Sequence, residues 1–116
     1  MPTQQIPRDE WIAYLSAFSA SYQTRPVNID LESNELGPQR LVEERPLLAV
    51  EADMHGDDSM ITLIAGDPEG GKPEALTHEI PDPSAVWVKS NDGGEVEALD
   101  IENPDGRVIV QFARAA

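Results

Sequence analysis

The 116-residue sequence contains no cysteine, which excludes disulfides, thiolate nucleophiles and Cys-ligated zinc or iron–sulfur centres together. A chain without thiols suits a reducing compartment, and the cytoplasm is the expected location. Basic residues are scarce as well: eight Lys and Arg stand against 22 Asp and Glu, a formal net charge of -14. A nucleic-acid binder needs positive charge to displace phosphate counterions, and this field has the opposite sign. Neither nucleic acid nor an anionic membrane surface is an expected partner. No apolar run approaches the roughly 18 residues of a membrane span. The opening Met-Pro-Thr-Gln-Gln-Ile-Pro-Arg-Asp-Glu lacks the basic start and apolar core of a secretory signal. The acidity itself fits plain solubility, steering of a basic partner, or life at high salt. Having only Lys72 and Lys89 as lysines suits the last of these, but a soluble acidic surface is the simplest account.

What is present is one domain's worth of chain, with 40% apolar residues to build a core. Pro7 fits a first helical turn, and Asp9 and Glu10 suit the positive end of a helix dipole. Trp11, Tyr14, Leu15, Phe18 and Tyr22 follow at spacings of three and four, which predicts an amphipathic helix over residues 7–22. After Arg25-Pro26 the period becomes alternating. Val27, Ile29 and Leu31 mark a first strand, and residues 39–44 a weaker second one. Leu48 to Met54 and Met60 to Ala65 follow, the latter apolar on both faces and so expected centrally. Leu76 to Ile80, Val86 to Lys89, Val96 to Ile101 and Val108 to Phe112 complete the set. The apolar phase slips between Val96 and Leu99, where a bulge is expected. Turn residues separate these runs, and no helical pattern intervenes. The expected fold is therefore α+β in a single domain, residues 1–116. One N-terminal helix packs on a curled, mostly antiparallel sheet of about seven short strands spanning residues 27–113.

Two motifs tempt and fail. Gly66-Asp67-Pro68-Glu69-Gly70-Gly71-Lys72 matches the glycine-lysine spacing of a phosphate loop. Pro73, however, stands where that loop needs a hydroxyl for magnesium, and Asp67 and Glu69 would repel phosphate. Asp53, His55, Asp57 and Asp58 resemble the start of a calcium loop, but position twelve is Ile64 rather than a bidentate Glu. Neither a metal site nor a cofactor site is expected. His78 shares a strand face with Leu76 and Ile80, which points it towards the core or a pocket rim. No Ser/His/Asp triad, carboxylate pair or His-Glu-x-x-His spacing accompanies it, so no catalytic residue is assigned and the protein is not expected to be an enzyme.

Three segments taken together carry a resemblance: Ile6-Pro7-Arg8-Asp9-Glu10-Trp11, Glu35-Leu36-Gly37, and Leu76-Thr77-His78-Glu79-Ile80 running on to Val86-Trp87. They resemble a bacterial family of short proteins catalogued only as a domain of unknown function. The resemblance covers Ile6 to Phe112. It implies a single-domain bacterial protein and transfers no functional residue.

The reading that follows is a non-enzymatic interaction or accessory protein with an unknown protein partner. Residues 11–24 carry no charge, and Ala13, Ser16, Ala17 and Ala20 lie opposite the aromatic stripe. These small residues are the candidate face for a homodimer. The alternative is a small-molecule binding module with its pocket between helix and sheet, near His78 and Trp87. A third reading makes the acidic surface a mimic of nucleic acid, which would need the acids gathered on one face.

Overall fold

The computed structural model describes residues 3–55, 58–66 and 76–112. Its elements in chain order are β1 (Thr3–Ile6), a 3-10 turn over Arg8–Glu10, α1 (Trp11–Tyr22), β2 (Pro26–Ser33) and β3 (Gly37–His55). β4 (Asp58–Ala65), β5 (Leu76–Pro81), β6 (Ala85–Ser90), β7 (Val96–Asn103) and β8 (Gly106–Phe112) follow. All pairings are antiparallel, in the order β1-β6-β7-β8-β2-β3-β4-β5. The α+β class is therefore as expected, with eight strands in place of about seven. No described helix is long and apolar enough to cross a membrane.

Three differences from the expected layout have physical causes. β1 holds one apolar residue, Ile6, and so shows no alternation; it is defined by pairing with β6. The two runs expected at 39–44 and 48–54 form one 19-residue strand, because β3 changes partner midway. Its first half pairs with β2 and its second with β4. Bulges accompany the change, and the Asn28 side-chain oxygen accepts the N–H of Glu44, whose φ is 47°. Finally, the sheet is not clearly curled about the aromatic stripe: α1 packs chiefly on β3, while Phe18 and Tyr22 also reach Phe112 of β8.

That packing has a specific chemistry. Beyond residue 46, β3 has left β2, so its backbone on that side needs other partners. The Ser19 hydroxyl supplies them, accepting the Val50 N–H at 2.8 Å and donating to the Val50 carbonyl at 2.7 Å. The chain just after the helix extends the ladder: Thr24 donates to the Leu47 carbonyl and Leu47 to that of Arg25. A helical side chain thus stands in for a missing strand. Trp11, Leu15 and Phe18 enter a core with Val27, Ile29, Val50, Leu63, Leu99 and Val110, while Tyr14 and Tyr22 are only partly covered. The Trp11 indole donates to the Ile6 carbonyl at 2.9 Å, which ties α1 to β1.

The expected bulge in β7 falls at Glu97, where the register with β6 slips between Lys89 and Ser90. β4 is internal, as expected, but only one strand from the β5 edge.

Candidate functional site

Among the described residues His78 and Trp87 do not share the expected pocket. The two residues lie at different cavities, and no α1 residue lines either one. Strand alternation explains the separation. Val86 and Val88 are buried in the core, so Trp87 between them points to the outward face of the sheet. His78 pairs with buried Leu63 and shares the inward face with Ile80, as expected, but near the sheet edge.

His78 belongs to a cleft of about 480 Å³. Leu31, Ile80 and Val108 give it apolar walls, and the β2–β3 and β7–β8 turns close its far side. Those turns are fixed by their own hydrogen bonds. Asn34 donates from its backbone to the Asp105 carbonyl and from its side chain to that of Pro104. The Ser33 hydroxyl accepts the N–H groups of Glu35 and Leu36. Gly106, at φ 145°, passes so close to Glu32 that a Cβ would run into its carbonyl oxygen. Glu35, Glu79 and Asp105 line the cleft, and no Lys or Arg among the described residues does. Burial pushes the His78 pKa down, so its ring is neutral at pH 7 and offers one donor and one acceptor.

The cleft also runs along a strand edge. Asp82 donates to the Ser59 carbonyl, which fixes the phase of the β4–β5 ladder. Leu76, His78 and Ile80 therefore direct their backbone groups to β4, and Thr77, Glu79 and Pro81 direct theirs outward. Pro81 has no N–H to leave unpaired, and its carbonyl accepts from the Asn103 side chain at 3.2 Å. Among the described residues no strand pairs with the outward groups of Thr77 and Glu79.

Trp87 lines a second cavity of about 410 Å³ with Lys89, Ala98, Asp100, Ile109 and Gln111 among its walls. Across the sheet Trp87 pairs with Asp100, and Lys89 with Ala98. Asp100 accepts from Arg107 at 3.2 Å through Oδ2. Its Oδ1 and the Trp87 Nε1 are both out of contact with water and have no partner among the described residues. Burial raises the Asp100 pKa, opposed by the Arg107 guanidinium.

The profile of DUF5335, described as a family of unknown function, matches residues 2–116. The chain belongs to that family. An uncharacterized protein of Aquifex aeolicus (strain VF5) is 26% identical over 116 residues, covering 99% of this chain and 96% of the relative. No solved structure matches the chain. As a member of DUF5335 it inherits no assigned site, so the geometry above stands on its own residues.

The remaining sequence candidates divide as follows. Ala13, Ser16, Ala17 and Ala20 are all exposed on α1, together with Ile12 at 55% exposure. Asp53 and His55 pair at 3.2 Å in full solvent, and no three metal-ligating side chains gather among the described residues. Gly56 and Asp57 of that acidic turn, and residues 67–73 of the phosphate-loop match, lie outside the described residues. The sequence reading missed the open edge of β5 and the unpaired Trp87–Asp100 pair. Alternation in Ala85–Ser90 was the available signal for an outward Trp87; nothing local signals an unpaired edge.

Proposed function

We propose that the protein is a non-enzymatic interaction module of the cytoplasm that captures an extended, basic segment of a partner protein along β5. The observation that carries this reading is the cleft beside the edge. It joins the outward backbone of Glu79, which continues the edge from Thr77, to apolar walls, with three carboxylates and no cation among the described residues of its lining. An added strand gains main-chain hydrogen bonds from such an edge and seats alternate side chains in the adjoining groove. The -14 net charge draws a basic segment in. The anisotropy of a labelled peptide alternating Val and Lys tests it, against one alternating Val and Glu. The Lys peptide should bind, weaken as salt rises, and lose affinity to Glu79→Lys. Equal binding of both peptides, or of neither, overturns the reading.

A second reading concerns self-association. Ile12, Ala13, Ser16, Ala17 and Ala20 form an exposed face without charge on a strongly acidic chain. Two copies meet there with the least repulsion, and small residues permit close helix approach. On this reading sedimentation finds a dimer that Ala17→Glu dissociates while the fold persists. A monomeric wild type, or a dimer that survives the substitution, removes it.

A further inference from the structure

We infer that the segment taken up along β5 is the free amino terminus of a partner protein, seated antiparallel to β5 with its first residue opposite Ile80. This rests on the strand-capture reading above and names the end of the partner that is held. One end of the β5 edge is plugged. The outward carbonyl of Pro81 already accepts from the Asn103 side chain at 3.2 Å, and the β7–β8 turn lines the cleft beside it. Pro81 also has no N–H to offer, so an added strand can pair with Thr77 and Glu79 and no further. A chain that ends at the plug fits there without having to turn out of the groove.

The lining at the plug decides which terminus it takes. Glu35, Glu79 and Asp105 make no ion pair among the described residues. The side-chain amides beside them are committed as donors, Asn34 Nδ2 to the Pro104 carbonyl and Asn103 Nδ2 to that of Pro81. A terminal carboxylate would meet like charge there, whereas a terminal ammonium brings three donors to a wall of acceptors. Strand direction agrees. An amino terminus at the Pro81 end makes the guest run antiparallel to β5, as every pair in this sheet runs; a carboxyl terminus there would make it parallel. In the antiparallel alignment the second and fourth guest residues exchange bonds with Glu79 and Thr77. The first, opposite Ile80, turns its nitrogen away from β5 towards the turns that carry Glu35 and Asp105. Its side chain shares the inward face with Ile80, against Leu31 and Val108. The partner is therefore a protein whose first residue is unblocked and apolar, with a second apolar residue at its third position.

Three peptides, each labelled at its carboxyl end, test this by anisotropy with the whole protein: Val-Lys-Val-Lys-Val-Lys with a free amino terminus, its N-acetyl form, and the same sequence behind a Gly-Ser-Gly-Ser leader. The leader keeps the net charge and moves the amine away, which separates the amine's position from its charge. The free-ended peptide should bind more tightly than the other two by roughly tenfold or more, the size of one charge-assisted bond. Glu35→Gln combined with Asp105→Asn should bring that ratio towards one. Both side chains are exposed, and the turns are held through the backbone groups of these residues, so the variant should keep the wild-type circular dichroism and melting curve. Equal affinity of the three peptides overturns amino-terminal capture and leaves strand addition at β5 standing. A preference for the free end that the double variant keeps in full also overturns it, because the amine is then held elsewhere. Binding of none of the three removes this inference together with the reading it rests on.

Discussion

Ser19→Ala removes one oxygen and isolates one structural idea, that a helical hydroxyl completes the β3 backbone where β2 has departed. The hydroxyl satisfies both the N–H and the carbonyl of Val50 in a partly buried setting. Leaving a buried polar group unpaired costs about 1–3 kcal/mol. Two such groups, partly reached by water once the oxygen is gone, place the loss at about 2–3 kcal/mol. Ala is the better helix former by about 0.5 kcal/mol, which offsets part of this. The net loss is then about 1.5–2.5 kcal/mol, out of about 5–15 kcal/mol for a typical domain. At about 4 °C per kcal/mol for a chain of this size, Tm falls by about 6–10 °C. Ser16→Ala on the exposed side of the same helix is the control and should be neutral or slightly stabilising. Urea titration gives the energies, and hydrogen exchange at the Val50 amide gives the location. If Ser19→Ala is as stable as Ser16→Ala, or if Val50 stays equally protected, the helix is not completing the strand.

Further outcomes follow from packing and charge. Phe18 is 3% exposed and stacks near Tyr22 and Phe112 at centroid distances of 4.9 and 5.8 Å. Phe18→Ala should cost about 3–5 kcal/mol by denaturant titration. Burial holds the His78 pKa below its ordinary value, so the unfolded chain takes up that proton first. The resulting stability is present above the ordinary histidine pKa and is lost as pH falls through the lower folded value; His78→Leu should flatten that part of a urea-midpoint profile. Asp100 has the opposite sign: burial raises its pKa, so its charged form weakens the fold at neutral pH. Asp100→Asn should raise the urea midpoint at pH 7, and the gain should vanish below the ordinary aspartate pKa.

The sequence makes most of the elements legible because each apolar run has one clear period. Trp11 to Tyr22 repeats every three to four residues and forms the helix; Val108 to Phe112 alternates and forms a strand. Even the bulge at Glu97 shows as a slip in phase. What escapes is decided between segments. Thr3–Ile6 becomes a strand only because β6 offers it an edge. The continuity of β3 through Pro46 depends on an exchange of neighbours on either side of that residue, with Gly66 donating to the Pro46 carbonyl. For the site, alternation correctly turned His78 inward, but the same rule applied to Val86 and Val88 turns Trp87 out and separates the two. The cleft beside His78 is assembled from β5 and two turns distant in sequence, and no local pattern encodes that meeting.

Hydrogen exchange at the amides of Thr77 and Glu79, with and without the Val-Lys peptide, tests the capture of a strand by β5 most directly. In the free protein these outward amides should exchange much faster than those of His78 and Ile80, which bond to β4. Saturating peptide should slow Thr77 and Glu79 and leave Val50, at the opposite side of β4, unchanged. Protection of Thr77 and Glu79 without any peptide, or peptide binding that leaves their exchange untouched, would contradict the account.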